Sequence, residues 1–253
     1  MQLDASSLLR TLVFTLTLLT TSATPGASSA RFYRLSYMDD HIIFTPGGNL
    51  EDTTVAQRFN VTSSSQCAAE CLTMERCSSF FYHRGDGLCL MHSVLFLGKD
   101  EASLKNGTTY WQLTQDDCPS GEGFVLYRAL GLCYKYHDQL VYWDTAESTC
   151  NAAGTSLLKV DTPDKFRHMY LFLRGSTATR FKHVSIGASE KTGSALWRDG
   201  STVTWFNWAD NEPSSPTEQC VNMGWFFYFK WNDVPCSSGG ASAQYNFICQ
   251  KDI

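Results

Sequence analysis

Charge is scarce in this chain. Asp, Glu, Lys and Arg make up only 18% of the 253 residues, and acids outnumber bases, 25 to 20. A net charge of −5 excludes a protein that tracks phosphate backbones, because nucleic-acid affinity is carried by clustered Lys and Arg. Long hydrophobic runs are missing too. The apolar run from Thr11 to Thr20 is about ten residues, too short to cross a hydrocarbon core of about 30 Å as a helix, and no later stretch is long enough. There is no internal repeat and no low-complexity tract. His-Glu-x-x-His and Gly-x-Ser-x-Gly are both absent. His41, His83, His92, His137, His168 and His183 therefore read as surface or satisfied core histidines, and an enzyme is not expected. No EF-hand loop and no zinc-type His/Cys spacing occur.

The short apolar run has Arg10 before it and Thr21-Ser22-Ala23 after it, with Thr24-Pro25-Gly26 next in the chain. This pattern reads as a secretory signal over 1–23, with Ala30 as an alternative end. Ten cysteines, an even count, fit an exported chain stapled by disulfides. The mature protein is expected to be secreted, extracellular and free of a membrane span.

The cysteines form two clusters, each even: Cys67, Cys71, Cys77 and Cys89, then Cys118, Cys133, Cys150, Cys220, Cys236 and Cys249. Thr114-Gln115-Asp116-Asp117 lies between them as a polar linker, which suggests two domains. Parity does not give the pairing: four cysteines allow three connectivities and six allow fifteen.

In the first cluster, the hydroxyls of Thr62 to Ser65 precede a helix on which Cys67 and Cys71, four apart, share a face. Ser79 to Tyr82 reads as a strand, Arg84 to Gly87 as a turn and Leu88 to Met91 as the next strand. Residues 31–114 so arranged resemble a PAN/apple domain. The resemblance implies the pairs Cys67–Cys89 and Cys71–Cys77, and an adhesion module able to take a protein partner. Asn60-Val-Thr62 and Asn106-Gly-Thr108 are N-glycosylation sequons in this block.

The second block opens with a hairpin between Cys118 and Cys133. A helix runs from Trp143 to Cys150, and another begins with Pro163 in its first turn. A loop-rich stretch then gathers Trp197, Trp205, Trp208 and Asp210-Asn211-Glu212-Pro213-Ser214. Cys220 to Met223, Phe226 to Trp231 and Tyr245 to Cys249 read as strands. In the run Trp225-Phe-Phe-Tyr-Phe229, strand alternation would turn Phe227 and Phe229 to one side and Phe226 and Tyr228 to the other.

Oxygen ligands concentrate at Glu212, Glu218, Asn232 and Asp233. Calcium wants six to eight oxygens, and three carboxylates around a divalent cation leave about −1. Acids, amides, Pro and Ser are also what solvated turns use. The residues alone leave both readings open.

Residues 118–251 resemble a C-type lectin domain of the long form. The likeness runs through Cys118-Pro and Cys133-Tyr, Ser185-Ile-Gly187 where the family has Trp-Ile-Gly, and Trp197 to Gly200. It continues through Glu212-Pro213, Cys220-Val221, Trp231-Asn-Asp-Val-Pro-Cys236 and Phe247-Ile-Cys249. It implies the pairs Cys118–Cys133, Cys150–Cys249 and Cys220–Cys236, and an α+β chain in which the stapled PAN/apple module precedes a lectin fold with two helices, antiparallel sheets and a long calcium-binding loop. Carried over by position, one calcium (Ca2+) would be held by Glu212, Ser214, Glu218, Asn232 and Asp233, with Glu212-Pro213 cis. Vicinal hydroxyls of a cell-surface or microbial glycan would complete the shell.

Glu212 leans toward mannose-type geometry. Ser214 replaces the amide of Glu-Pro-Asn and has one oxygen where an amide has two polar atoms. Ser215 stands where an acid would serve an accessory calcium, so a second metal is not expected. Trp225 or Tyr228 could stack on the sugar, and Trp205, Trp208 and Trp231 pack under the loop. Lectins gain avidity by multivalency, so an oligomer fits this reading. The alternative is a lectin-like module that binds a protein partner without sugar or calcium; Ser214 is its support.

Overall fold

Ser63 begins the first helix by local chemistry. Its hydroxyl accepts the Gln66 N–H at 3.2 Å, and Gln66 Oε1 accepts the Thr62 N–H at 3.0 Å. This helix, α1 (Ser64–Leu72), buries Cys67 and Cys71 on one face. The computed structural model describes residues 29–43, 53–99, 102–190, 193–238 and 243–253. The expected leader, 1–23, lies outside them.

Around α1 the strands are β1 (Arg31–Arg34), β2 (His41–Ile42), β3 (Thr54–Arg58), β4 (Ser79–His83), β5 (Leu88–His92), β6 (Ser103–Leu104) and β7 (Thr108–Thr114). Five form an antiparallel sheet in the order β1-β7-β4-β5-β3, and β2 pairs with β6. Cys67–Cys89 ties α1 to β5, and Cys71–Cys77 closes the turn after the helix.

The rest of the chain adds β8 (Val125–Tyr127), β9 (Leu132–Val141), α2 (Trp143–Ala152), β10 (Ser156–Leu157), α3 (Pro163–Arg174), α4 (Thr177–Arg180), β11 (His183–Ser189), β12 (Leu196–Trp197), β13 (Cys220–Gly224), β14 (Trp231–Val234) and β15 (Tyr245–Lys251). The main path of the sheet is β14-β13-β11-β15-β9-β8, with β11 and β15 parallel and every other pair antiparallel. Thr162 caps α3 by accepting the Lys165 N–H, with Pro163 in the first turn where its missing N–H costs nothing. Cys118–Cys133, Cys150–Cys249 and Cys220–Cys236 complete five disulfides. Among the described residues, no helix is long and apolar enough to cross a membrane.

The polar stretch after β7 does not separate two independent bodies. One core runs through Phe81, Leu90, Phe96 and Tyr110 on one side of it and Tyr127, Tyr134, Met169 and Phe172 on the other. Polar contacts join the same faces: the Ser78 hydroxyl donates to Leu126 O at 2.9 Å and Gln112 Nε2 to Phe124 O at 2.6 Å. Arg128 reaches back to the end of α1, donating to the carbonyls of Cys71, Leu72 and Met74 at 3.1, 3.0 and 2.7 Å. The Cys71 and Leu72 carbonyls lie in the last turn of α1 and carry the negative end of the helix dipole, which a guanidinium complements.

The aromatic run Trp225–Phe229 is not an alternating strand. A Cβ on Gly224 would lie 3.0 Å from His183 Nδ1 and 2.9 Å from Phe227, so the chain turns where it has no side chain. Trp225–Phe227 form a 3-10 turn, and Tyr228 and Phe229 come after it with φ of 54° and 60°. The reversal is required because Met223 pairs with Trp231 across the hairpin.

Candidate functional site

Trp231 positions the long loop. Its ring is fully buried, with Trp197, Trp205 and Trp208 set edge-on at 5.7, 5.6 and 5.7 Å. Its backbone holds the loop directly: Trp231 N–H donates to Asn207 O at 2.7 Å, and Ala209 N–H donates to Trp231 O at 2.8 Å. Two residues further along β14, Asp233 is 3% exposed. Its carboxylate meets the loop at Ser214 and Ser215, just after the Glu212-Pro213 bond, which is cis. The Ser214 N–H lies 3.0 Å from both Asp233 carboxylate oxygens, and the Ser215 N–H donates to Oδ2 at 2.9 Å.

Three carboxyl groups share this neighbourhood. Burial pushes the Glu212 carboxyl up, its contact with Asp233 adds to this, a bond from the Ser214 side chain opposes it, and the charges of Asp233 and Glu218 raise it further. Glu218 is raised by burial and then by the Asp233 charge. Asp233 ends below its usual value: burial alone would raise it, but bonds from Ser214 N–H, Glu212 and Ser215 N–H outweigh that. Glu212 Oε2 is buried with no hydrogen-bond partner. Asn232 is half-buried and donates through its amide nitrogen to Asp233 O at 2.9 Å.

This donor set fits a hard divalent cation. It is all oxygen, it includes an orphaned carboxylate oxygen, and two of its three acids are held in a state that a positive charge would relieve. Asp233 retains capacity: a carboxylate has about four lone-pair sites, and the two N–H groups make three contacts. Among the described residues, the tight cluster of three potential ligands is Asp144 with Cys220 and Cys236, and that cysteine pair is a disulfide. Those three ligand atoms lie within 4.8 Å of one another, whereas opposed ligands on one calcium stand about 5 Å apart at 2.3–2.6 Å per bond, so a calcium set is wider.

A cavity of ≈ 320 Å³ adjoins the loop, lined by Trp208, Ser214, Ser215, Glu218 and Asp233, and by Glu190 at the end of β11. The sequence reading missed Glu190, which the Glu190 N–H bond to Gln219 O at 2.8 Å brings alongside. Trp225 and Tyr228, expected as stacking rings here, line a different cavity that shares no residue with this one. The hairpin reversal carries them there. Asn60 and Asn106 are both exposed, whereas Thr108 of the second sequon is buried in β7.

Two protein families match separate parts of the chain. Residues 139–251 match the C-type lectin domain family and residues 41–117 the PAN domain family. A C-type lectin mannose-binding isoform from Notechis scutatus scutatus is 33% identical over 132 residues, covering 47% of this chain and 77% of that protein. The versican core protein of Homo sapiens is 32% identical over 116 residues, which are 42% of this chain but 3% of versican. Among solved structures, human lithostathine is similar at a TM-score of 0.45 and 26% identity, over 52% of this chain and 98% of that one. The mouse scavenger receptor C-type lectin carbohydrate-recognition domain gives 0.41 and 21%, over 48% and 91%. With a PAN domain ahead of its lectin domain, the chain belongs to the C-type lectin family.

Proposed function

We propose that this chain is a secreted, calcium-dependent carbohydrate-binding protein. The observation that carries the reading is the convergence of Glu212, Glu218 and Asp233, with Glu212 Oε2 buried and unpartnered. Glu212, Ser214, Glu218, Asn232 and Asp233 would hold one calcium ion, which when bound supplies open coordination positions for two vicinal sugar hydroxyls. Around it, Glu212 and Glu218 accept hydrogen bonds from those hydroxyls, and Asn232 offers its amide. The loop is organised by backbone bonds to Asp233, so the protein orients these groups at little entropic cost on binding.

Glu212 favours mannose-type hydroxyl geometry, and the Notechis relative is named as mannose-binding. Glycans at Asn60 and Asn106 would sit on the PAN module, which takes a protein partner. The test is a glycan array with the full chain, in calcium and in EDTA. Binding to mannose-type glycans that vanishes in EDTA supports the reading; sugar binding indifferent to EDTA overturns it.

One observation favours a second reading. Ser214 and Ser215 N–H groups occupy three of the about four lone-pair sites of the Asp233 carboxylate, which leaves it a smaller share for a metal. A chain that binds no calcium by titration calorimetry and no glycan on the array would favour it over the first.

A further inference from the structure

A second cavity, ≈ 270 Å³, is walled by three separate elements: Tyr170 and Arg174 of α3, Arg180 and Phe181 at the end of α4, and Trp225, Phe226, Tyr228 and Phe229 of the hairpin tip. Its rim is unusually apolar. Phe181, Phe226 and Tyr228 are 56%, 69% and 74% exposed, and they stand together. Single exposed rings are ordinary on a protein surface, but several gathered round one cavity mark a binding site.

The rings are held in place. Phe181 meets Trp225 edge-on at 5.4 Å, and Trp225 lies 4.0 Å from Phe226. Tyr228 and Phe229 both occupy the left-handed region, which bulky residues rarely visit and which concentrates at functional sites. The paired conformation splits them: Phe229 is 2% exposed and packs edge-on to Tyr170 at 6.2 Å, while Tyr228 stands in solvent. One residue anchors the tip and its neighbour is presented.

Arg174 adds charge. Its guanidinium lies over the Tyr170 ring at 5.2 Å and donates to the Tyr170 hydroxyl. Among the described residues no carboxylate pairs with it. A guanidinium has five N–H donors in a planar fork suited to carboxylate or sulfate, so most of its capacity is unspent.

We propose that this cavity binds an anionic pyranose, carboxylated or sulfated, with its C–H face on the Trp225 and Tyr228 rings and its oxyanion on Arg174. The volume lies below the range of about 300–1,000 Å³ usual for drug-sized ligands, which suits one sugar ring. An acidic peptide would satisfy Arg174 but leave the aromatic rim without a flat apolar partner. The site shares no residue with the carboxylate loop and does not depend on calcium.

The test compares glucuronate with glucose, which differ at C6 alone, by calorimetry on the full chain in EDTA at low salt. Glucuronate is expected to bind roughly tenfold more tightly, and to weaken as salt is added. Arg174→Ala removes the preference. Tyr228→Asn, chosen because Asn tolerates positive φ at an exposed position, weakens both sugars. Equal affinity for the two sugars overturns the proposal, as does unchanged affinity in Tyr228→Asn or a preference retained in Arg174→Ala. Glucuronate binding seen only with calcium would assign the sugar to the carboxylate loop and overturn it. Oligoglutamate displacing glucuronate at equal or lower concentration would overturn it in favour of an acidic protein segment.

Discussion

The backbone N–H of Ser214 sits 3.0 Å from each carboxylate oxygen of Asp233, whereas the Ser214 hydroxyl reaches only to 3.5 Å. The loop is thus gripped chiefly through its main chain, and the exposed side chain at 214 adds only its bond to Glu212 and the long contact to Asp233. Ser214→Ala should alter stability by no more than about 0.5 kcal/mol. Ser214→Asn supplies an amide oxygen on a longer stem and should tighten calcium roughly tenfold. Calcium titrations on the three proteins check this. Indistinguishable affinities for Ser214→Asn and wild type would show that serine is not the weak ligand.

Acidification should release calcium early. Ligands bind metal deprotonated, and Glu212 and Glu218 hold their protons to higher pH than ordinary carboxylates. Titrations at pH 7.5 and about 5 should show a clear loss at the lower value, above the range near 4 where free carboxylates titrate. Without calcium the sign differs. Glu212 and Glu218, with raised folded values, penalise the folded state at neutral pH and cease to do so as pH falls. Asp233, with a lowered value, stabilises above its unfolded value, and that contribution is lost as pH falls through the folded one. Equal calcium affinity at both pH values would contradict the ligand assignment.

Two buried histidines set a second pH response. His92 and His168 are both pushed down to about 3, chiefly by burial; backbone bonds oppose the shift in His92, and the Arg76 charge adds to it in His168. Both are neutral in the folded chain and protonate more readily once unfolded. Their stabilisation is therefore complete above about 6.5 and declines as pH falls toward 3, by about 1.4 kcal/mol per pH unit for each proton. His168 stacks on Tyr127 at 3.8 Å, so His168→Phe keeps a ring there but cannot titrate. Its melting temperature should fall less steeply than wild type between pH 6 and 4. Parallel curves would place the acid sensitivity elsewhere.

Arg128 is expected to matter more than its position in a short turn suggests. Arg128→Ala withdraws a donor from three carbonyls at and just after the end of α1, of which Cys71 and Met74 keep backbone N–H partners, and should cost about 1–2 kcal/mol. Arg128→Lys should recover only part of this, because an ammonium lacks the planar fork. Calorimetric melting of the three proteins measures it. A loss confined to one of two separate transitions would show that the contact does not couple the modules.

Much of this was legible in the residues. Cys67 and Cys71 announced a helix by their spacing, and Thr162-Pro163 announced another. Glu212-Pro213-Ser214 and Trp231-Asn232-Asp233, read as one candidate site, do meet in the fold, where Ser214 N–H contacts the Asp233 carboxylate. The pairing of ten cysteines was not deducible from parity and needed the family resemblance, which implies the five pairs found. The N–H bonds to Asp233 carry no side-chain signature, so they were invisible. Alternation misread Trp225 to Phe229 because aromatic content favours a strand while register demanded a turn. Arg174 and Tyr228 lie 54 positions apart, and only folding sets them round one cavity.

The core shared across residue 117 bears on how the chain can be taken apart. A lectin domain excised at Cys118 would present to water the apolar face that Phe96 and its neighbours now cover, and the PAN half would do the same. Such fragments would self-associate through those faces, so binding measured on either half would mix recognition with aggregation. The same coupling fixes direction: a ligand held by one module dictates where the other points, with no swivel to search for a second site. Crowded targets of matching spacing would then be selected by geometry alone.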